Sequence, residues 1–133
     1  MSNLLDINSD IHSLSPLSLA FVGDSVYDLL VRQYLVAQAN RPVKELNKMK
    51  VTLVNCKSQA DSARIILDYL NEEESAIYKR GRNVKTNSAS KHSTLADYHS
   101  ATGLEALFGY LYLSGKTDRI KELFMLILDN SEV

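Results

Sequence analysis

Phe21-Val22-Gly23-Asp24-Ser25-Val26-Tyr27-Asp28 decides the reading of this chain, because an acid stands inside an apolar helical pattern. Leu17, Ala20, Phe21, Tyr27 and Val31 lie three, four or seven positions from Asp24, so the spacing predicts that Asp24 shares the apolar side of its helix. Working outward, Ser15-Pro16 offers an N-cap hydroxyl followed by proline at the first helical position. Apolar residues continue through Tyr34 and Leu35, which predicts a helix to about Gln38. A carboxylate on such a face is costly unless it is paired or holds a metal.

A second acid repeats the pattern. In Thr102-Gly103-Leu104-Glu105-Ala106-Leu107-Phe108-Gly109-Tyr110-Leu111-Tyr112-Leu113, Glu105 shares a face with Ala101, Phe108, Gly109 and Tyr112. Two core-facing acids on separate helices, with no Lys or Arg on those faces, invite a divalent cation between them. Mg²⁺ takes one or two protein carboxylates and keeps its other positions for water or phosphate. The alternative is that each acid is a hydrogen-bonded structural residue. Asp28, one turn after Asp24, is either a neighbour that orients the site or a helix-surface acid. Gly23 and Gly109 each interrupt a strongly helical pattern at a cost of about 1 kcal/mol against alanine, which close helix–helix approach beside the acids, or simple tolerance, would explain.

The rest of the chain reads as further helices. Arg41-Pro42 restarts the chain, and Val43, Leu46, Met49 and Leu53 follow at helical spacing. A segment from about Asn55 to Leu70 packs through Ala60, Ala63, Leu67 and Leu70. Asn71 with Glu74 resembles a capping box, opening a short helix that Gly81 is expected to close. Residues 82–93 have loop composition, and helices resume over about Thr94–Leu113 and Thr117–Leu128. No period-two alternation persists, so the fold class is all-α, one domain over residues 1–133 with residues 1–13 a flexible N-terminus. The single cysteine excludes an internal disulfide framework and a cysteine-based zinc cluster. No apolar run approaches the ~20 residues of a membrane span, and residues 1–15 lack the Lys and Arg of a secretory signal, so no membrane partner and a cytoplasmic location are expected.

Net charge is −1, but its distribution is uneven. Between Ser75 and Ala96 there is no acid, while Lys79, Arg80, Arg82, Lys85 and Lys91 all fall there with His92. Such a patch attracts phosphates, or is a solvated loop. Neither a Ser/His/Asp nor a Cys/His arrangement points to covalent catalysis.

These residues resemble a known family. Phe21–Asp28 is similar to the signature of ribonuclease III catalytic domains, residues 102–113 to that family's second acidic helix, and Lys79-Arg80-Gly81-Arg82-Asn83 to a segment of its Mini-III subgroup, which lacks a double-stranded-RNA-binding domain. The resemblance implies a ribonuclease III endonuclease-domain helical bundle working as a homodimer, with Asp24 and Glu105 as catalytic, metal-binding carboxylates. It implies Mg²⁺-dependent hydrolysis of double-stranded RNA, with Mn²⁺ as the other candidate ion, giving 5′-phosphate and 3′-hydroxyl ends, and trimming of the stem of precursor large-subunit ribosomal RNA. Lys79, Arg80, Arg82, Asn83, Lys85 and Lys91 would contact the RNA. Larger family members carry further acids where this chain has Leu17, Ala20 and Thr102, and His99 stands where the subgroup is expected to have arginine. The segment Phe108–Leu113 carries more large apolar groups than one helix face hides, which also points to a partner subunit. Two rivals are a non-catalytic RNA-binding domain of the same fold and a DNA-binding protein with a recognition helix. The loop-like setting of the cations disfavours the second.

Overall fold

The computed structural model describes residues 4–5, 10–85 and 94–131. The expected N-terminal tail falls partly outside this range, and its last three residues, Ile11–Ser13, form a 3-10 turn. Six α-helices follow, with no strand among the described residues. Helix α1 spans Pro16–Gln38, and Ser15 caps it by accepting from the Ser18 amide at 3.1 Å. Helix α2 is Val43–Val54, and Asn55 ends it and caps α3, Cys56–Ile66, by accepting from the Ser58 amide at 2.9 Å. The helix expected to reach Leu70 stops at Ile66, where a 3-10 turn over Leu67–Tyr69 bends the chain. The Tyr69 carbonyl produced by that bend accepts from Arg119.

Helix α4, Glu72–Arg82, opens on the expected capping box between Asn71 and Glu74. Glu74 does more than cap: it is 2% exposed, and both its oxygens accept from Arg119 at 2.8 Å. That pair fastens the start of α4 to α6, Thr117–Asn130. Gly81 does not close α4 as expected but lies buried inside its last turn. A Cβ there would stand 2.8 Å from the Ala106 Cβ and 3.0 Å from the Gly103 Cα, so glycine serves the packing of α4 on α5.

Helix α5, Leu95–Leu113, is capped by Thr94 and is the centre of the fold, with α1, α3, α4 and α6 packed around it. A helix apolar on all sides is a core helix. Leu104, Ala106, Leu107, Phe108 and Leu111 are all 0% exposed. This corrects the reading of Phe108–Leu113 as surplus apolar surface, since the protomer's own helices cover Phe108, Tyr110 and Leu111. Phe108 and Phe124 each meet Tyr27 edge to face, at 5.3 and 5.7 Å, and the Tyr27 hydroxyl donates to Ser62 at 3.1 Å. Gly115, at φ 72°, turns the chain from α5 into α6.

Candidate metal centre and nucleic-acid interface

Helices α1 and α5 touch backbone to backbone. A Cβ on Gly23 would lie 1.6 Å from the Glu105 carbonyl oxygen, and one on Gly109 would lie 1.9 Å from the Leu19 carbonyl oxygen. Only glycine permits that approach, which decides between the two explanations that the interrupted helical patterns left open. The crossing brings Asp24 and Glu105 side by side. Glu105 is half-buried, and burial, followed by the hydrogen bond and charge of Asp24, pushes its carboxyl up to about 8. A hydrogen bond with Gln59 pulls it the other way. Gln59 is 4% exposed on α3, so the site draws on three helices. Sequence reasoning missed Gln59, although an amide adjoining the Ala60 and Ala63 face was its visible signal.

One expectation is corrected. Asp24 is exposed rather than core-facing. The apolar pattern that placed it inside included Leu17 and Phe21, which are themselves 55% and 82% exposed. The buried side of α1 runs instead through Leu19, Ala20, Gly23, Tyr27, Val31 and Leu35. Asp24 therefore reaches Glu105 from the rim, and the pair opens to solvent.

Asp28 is committed elsewhere. It accepts from Arg32 Nε–H at 2.6 Å and has Lys50 Nζ at 3.6 Å, tying α1 to α2. By contrast, among the described residues no Lys, Arg or His forms an ion pair with Asp24 or Glu105. Nor do they include a group of three or more His, Cys, Asp and Glu that would hold a metal. Two adjoining carboxylates and a buried amide, with no cation of the described residues paired to them, fit a divalent ion that keeps open positions.

The basic stretch is more helical than expected. Lys79, Arg80 and Arg82 occupy the last turn of α4, where the helix dipole favours cations, and only Asn83 onward leaves the helix. Lys79, Arg80, Arg82, Asn83 and Lys85 are all exposed. The Arg82 guanidinium stands 5.9 Å from the Tyr78 ring centroid. Lys85 lines a cavity of about 90 Å³ with Leu17, Val84, Tyr98, His99 and Thr102. Thr102 is one turn from Glu105, so this basic segment ends beside the acid pair. Lys91 and His92 lie outside the described residues.

No helix among the described residues is long and apolar enough to cross a membrane. The ribonuclease III domain family matches residues 17–116. A Mini-ribonuclease 3 of Thermoanaerobacter sp. (strain X514) is 51% identical over 86% of this chain and 80% of its own length. Another, from Clostridium tetani, is 38% identical over 90% and 80% respectively. The crystal structure of a Fusobacterium nucleatum protein superposes with a TM-score of 0.82 at 35% identity, covering 92% of this chain and 98% of that one. With helical order, glycine crossing and acid pair in place, the chain belongs to the ribonuclease III domain family, in its Mini-ribonuclease 3 subgroup.

Proposed function

We propose that the protein is an endoribonuclease that hydrolyses phosphodiester bonds in double-stranded RNA, using a divalent cation held by Asp24 and Glu105. The observation that carries this reading is the acid pair at the Gly23 crossing, with two carboxylates side by side and no cation of the described chain on either. Nucleases of this family generally use a divalent metal. Such an ion, Mg²⁺ or Mn²⁺, supplies an acidified water and neutralises charge at the phosphate undergoing hydrolysis. The chain's own residues do the rest. Gln59 and the surrounding helices hold the Glu105 carboxyl in one place, and the exposed Asp24 completes the pair at the solvent edge. Lys79, Arg80, Arg82, Asn83 and Lys85, joined by Lys91, bind the phosphates and 2′-hydroxyls by which A-form RNA is recognised.

The products are 5′-phosphate and 3′-hydroxyl ends, and the natural substrate is the stem of precursor large-subunit ribosomal RNA in the cytoplasm. The chain acts as a single catalytic domain and pairs with a second copy of itself. Leu17 and Phe21, exposed one turn apart on α1 beside Asp24, support that pairing as an uncovered apolar strip next to the site. Light scattering is expected to give about twice 14.9 kDa for the protein and a monomer for Phe21→Glu. A non-catalytic RNA-binding domain is the weaker reading, since a pure binder gains nothing from two acids facing a polyanion. Incubation with long double-stranded RNA separates the two. Cleavage with Mg²⁺ and none in EDTA is the expected result, and intact RNA under both conditions would refute the enzyme.

A further inference from the structure

Asp24 and Asp28 stand one turn apart on the same side of α1, yet they are furnished differently. Asp24 adjoins another carboxylate. Asp28 gathers two cations from two helices: Arg32 of α1, whose Nε–H donates at 2.6 Å, and Lys50 of α2, at 3.6 Å. The cluster therefore carries net positive charge one turn, ~6 Å along the helix axis, from a net negative site. Its donors are not exhausted. Arg32 has five N–H groups and Lys50 three, and among the described residues the only side-chain hydrogen bond of the two is the one from Arg32 to Asp28. The Arg32 side chain is 54% exposed. A surface ion pair of this kind contributes little to stability, so fold maintenance alone is a thin reason for it.

Arg32 and Lys50 stand at the polar edge of a largely apolar groove of about 170 Å³ between α1 and α2, lined also by Leu35, Val36, Val43 and Leu46, where Asn47 adds a neutral donor and acceptor. Helix α2 has no buried residue, and besides the half-buried Lys50 it carries the exposed Lys44 and Lys48, with Glu45 as its only acid. At the other end of the same side of α1, Leu17 meets Lys85 in the small cavity described above. Leu17 and Asp28 are about 16 Å apart along the helix axis. Positive charge thus flanks the acid pair on both sides.

We infer that Arg32 and Lys50, held together by Asp28, form a second phosphate-binding site for the RNA backbone, across the acid pair from the cations of α4 and Lys85. The inference rests on the RNA reading of the acid pair. A polyanion lying along α1 meets Lys85 before the carboxylates and Arg32 with Lys50 after them, which offsets the repulsion from Asp24 and Glu105. Asp28 is a positioning residue here: it keeps two long, flexible side chains at one place.

The test measures binding of a fluorescent RNA duplex in EDTA, so that nothing is cut, as a function of salt. Arg32→Ala/Lys50→Ala is expected to raise Kd about tenfold and to reduce the slope of log K against log salt by about two, as two lost phosphate contacts require. Arg32→Lys/Lys50→Arg, which preserves both charges, is expected to restore affinity and slope. Melting temperature and light-scattering mass are expected to stay at wild-type values in both variants. Wild-type Kd and slope for the alanine pair would overturn the inference. So would a loss that the charge-preserving pair fails to restore, or one that accompanies a change of mass, which would make this groove a protein contact. If the wild-type chain binds no RNA duplex, the RNA reading itself fails and this inference with it.

Discussion

Glu74, at the start of α4, and Glu105, in the middle of α5, are both carboxylates withdrawn from water among apolar helices. Burial pushes both upward. At Glu74 the hydrogen bonds of Arg119 and the Asn71 amide, with the charges of Arg119 and Lys116, more than offset it and hold the carboxyl below its ordinary value. At Glu105 the nearest charged neighbour is Asp24, so the second influence adds to the first and the carboxyl rises to about 8. One acid is completed by the protein, and the other is paired with no cation among the described residues. A buried charge with its counter-ion in the fold serves structure; one without it is a candidate for a functional site.

Removing the counter-ion from the completed acid has the largest expected effect on folding. Arg119→Ala leaves Glu74 buried and unpaired, and is expected to cost about 3–5 kcal/mol, read as a lower urea midpoint or melting temperature. A change within about 0.5 kcal/mol would place this pair with ordinary surface ion pairs and erase the contrast.

The unfinished acid predicts the opposite sign. Its folded carboxyl titrates at about 8 against an ordinary 4.5. The stability it contributes in metal-free protein is therefore full below pH about 4.5 and lost as pH rises through about 8. In EDTA the melting temperature is expected to fall across that window, and Glu105→Gln is expected to flatten the fall and melt above the wild type at its alkaline end. Glu74 works from the other side, its contribution present above the unfolded value and lost in acid as its depressed carboxyl protonates. An unchanged alkaline slope in Glu105→Gln would show that the Asp24–Glu105 contact is not felt by the fold.

The smallest effect concerns the ion itself. Because carboxylate ligands must be deprotonated, Mg²⁺ is expected to raise the melting temperature by a few degrees, more at alkaline than at neutral pH, and not at all in Asp24→Asn or Glu105→Gln. An equal shift in those variants would place the ion elsewhere.

How far these features were legible follows from what each depends on. Caps are local, so Ser15 and Asn71 with Glu74 announced their helices. Gly23 and Gly109 were legible as a close approach because glycine inside a helix needs a reason. The pairing of Asp24 with Glu105 was inferred from two acids on apolar helical patterns, one of which, Asp24, proves to be exposed. Exposure was not legible, because periodicity groups residues on a face without saying whether another helix covers it. Leu17 and Phe21 therefore carried Asp24 into a core it does not enter, and Phe108–Leu113 looked like surplus surface in a helix that other helices enclose. Gly81 depends on what α5 presents to it, which no local pattern records, and the amide of Gln59 beside the Ala60 and Ala63 face was only a partial signal of its contact with Glu105.

Cleavage rate and melting temperature, measured side by side on Mg²⁺ and long double-stranded RNA for Asp24→Asn, Glu105→Gln and the double variant, test the acid pair most directly. Each single change is expected to cut the rate at least about a hundredfold, the scale of a lost electrostatic contribution at a reacting phosphate, with melting temperature unchanged or higher in EDTA. The double variant is expected to be scarcely slower than either single, because the two acids act through one site. Near-normal cleavage by folded Asp24→Asn protein, or rates that fall only in step with the fraction folded, would contradict the account.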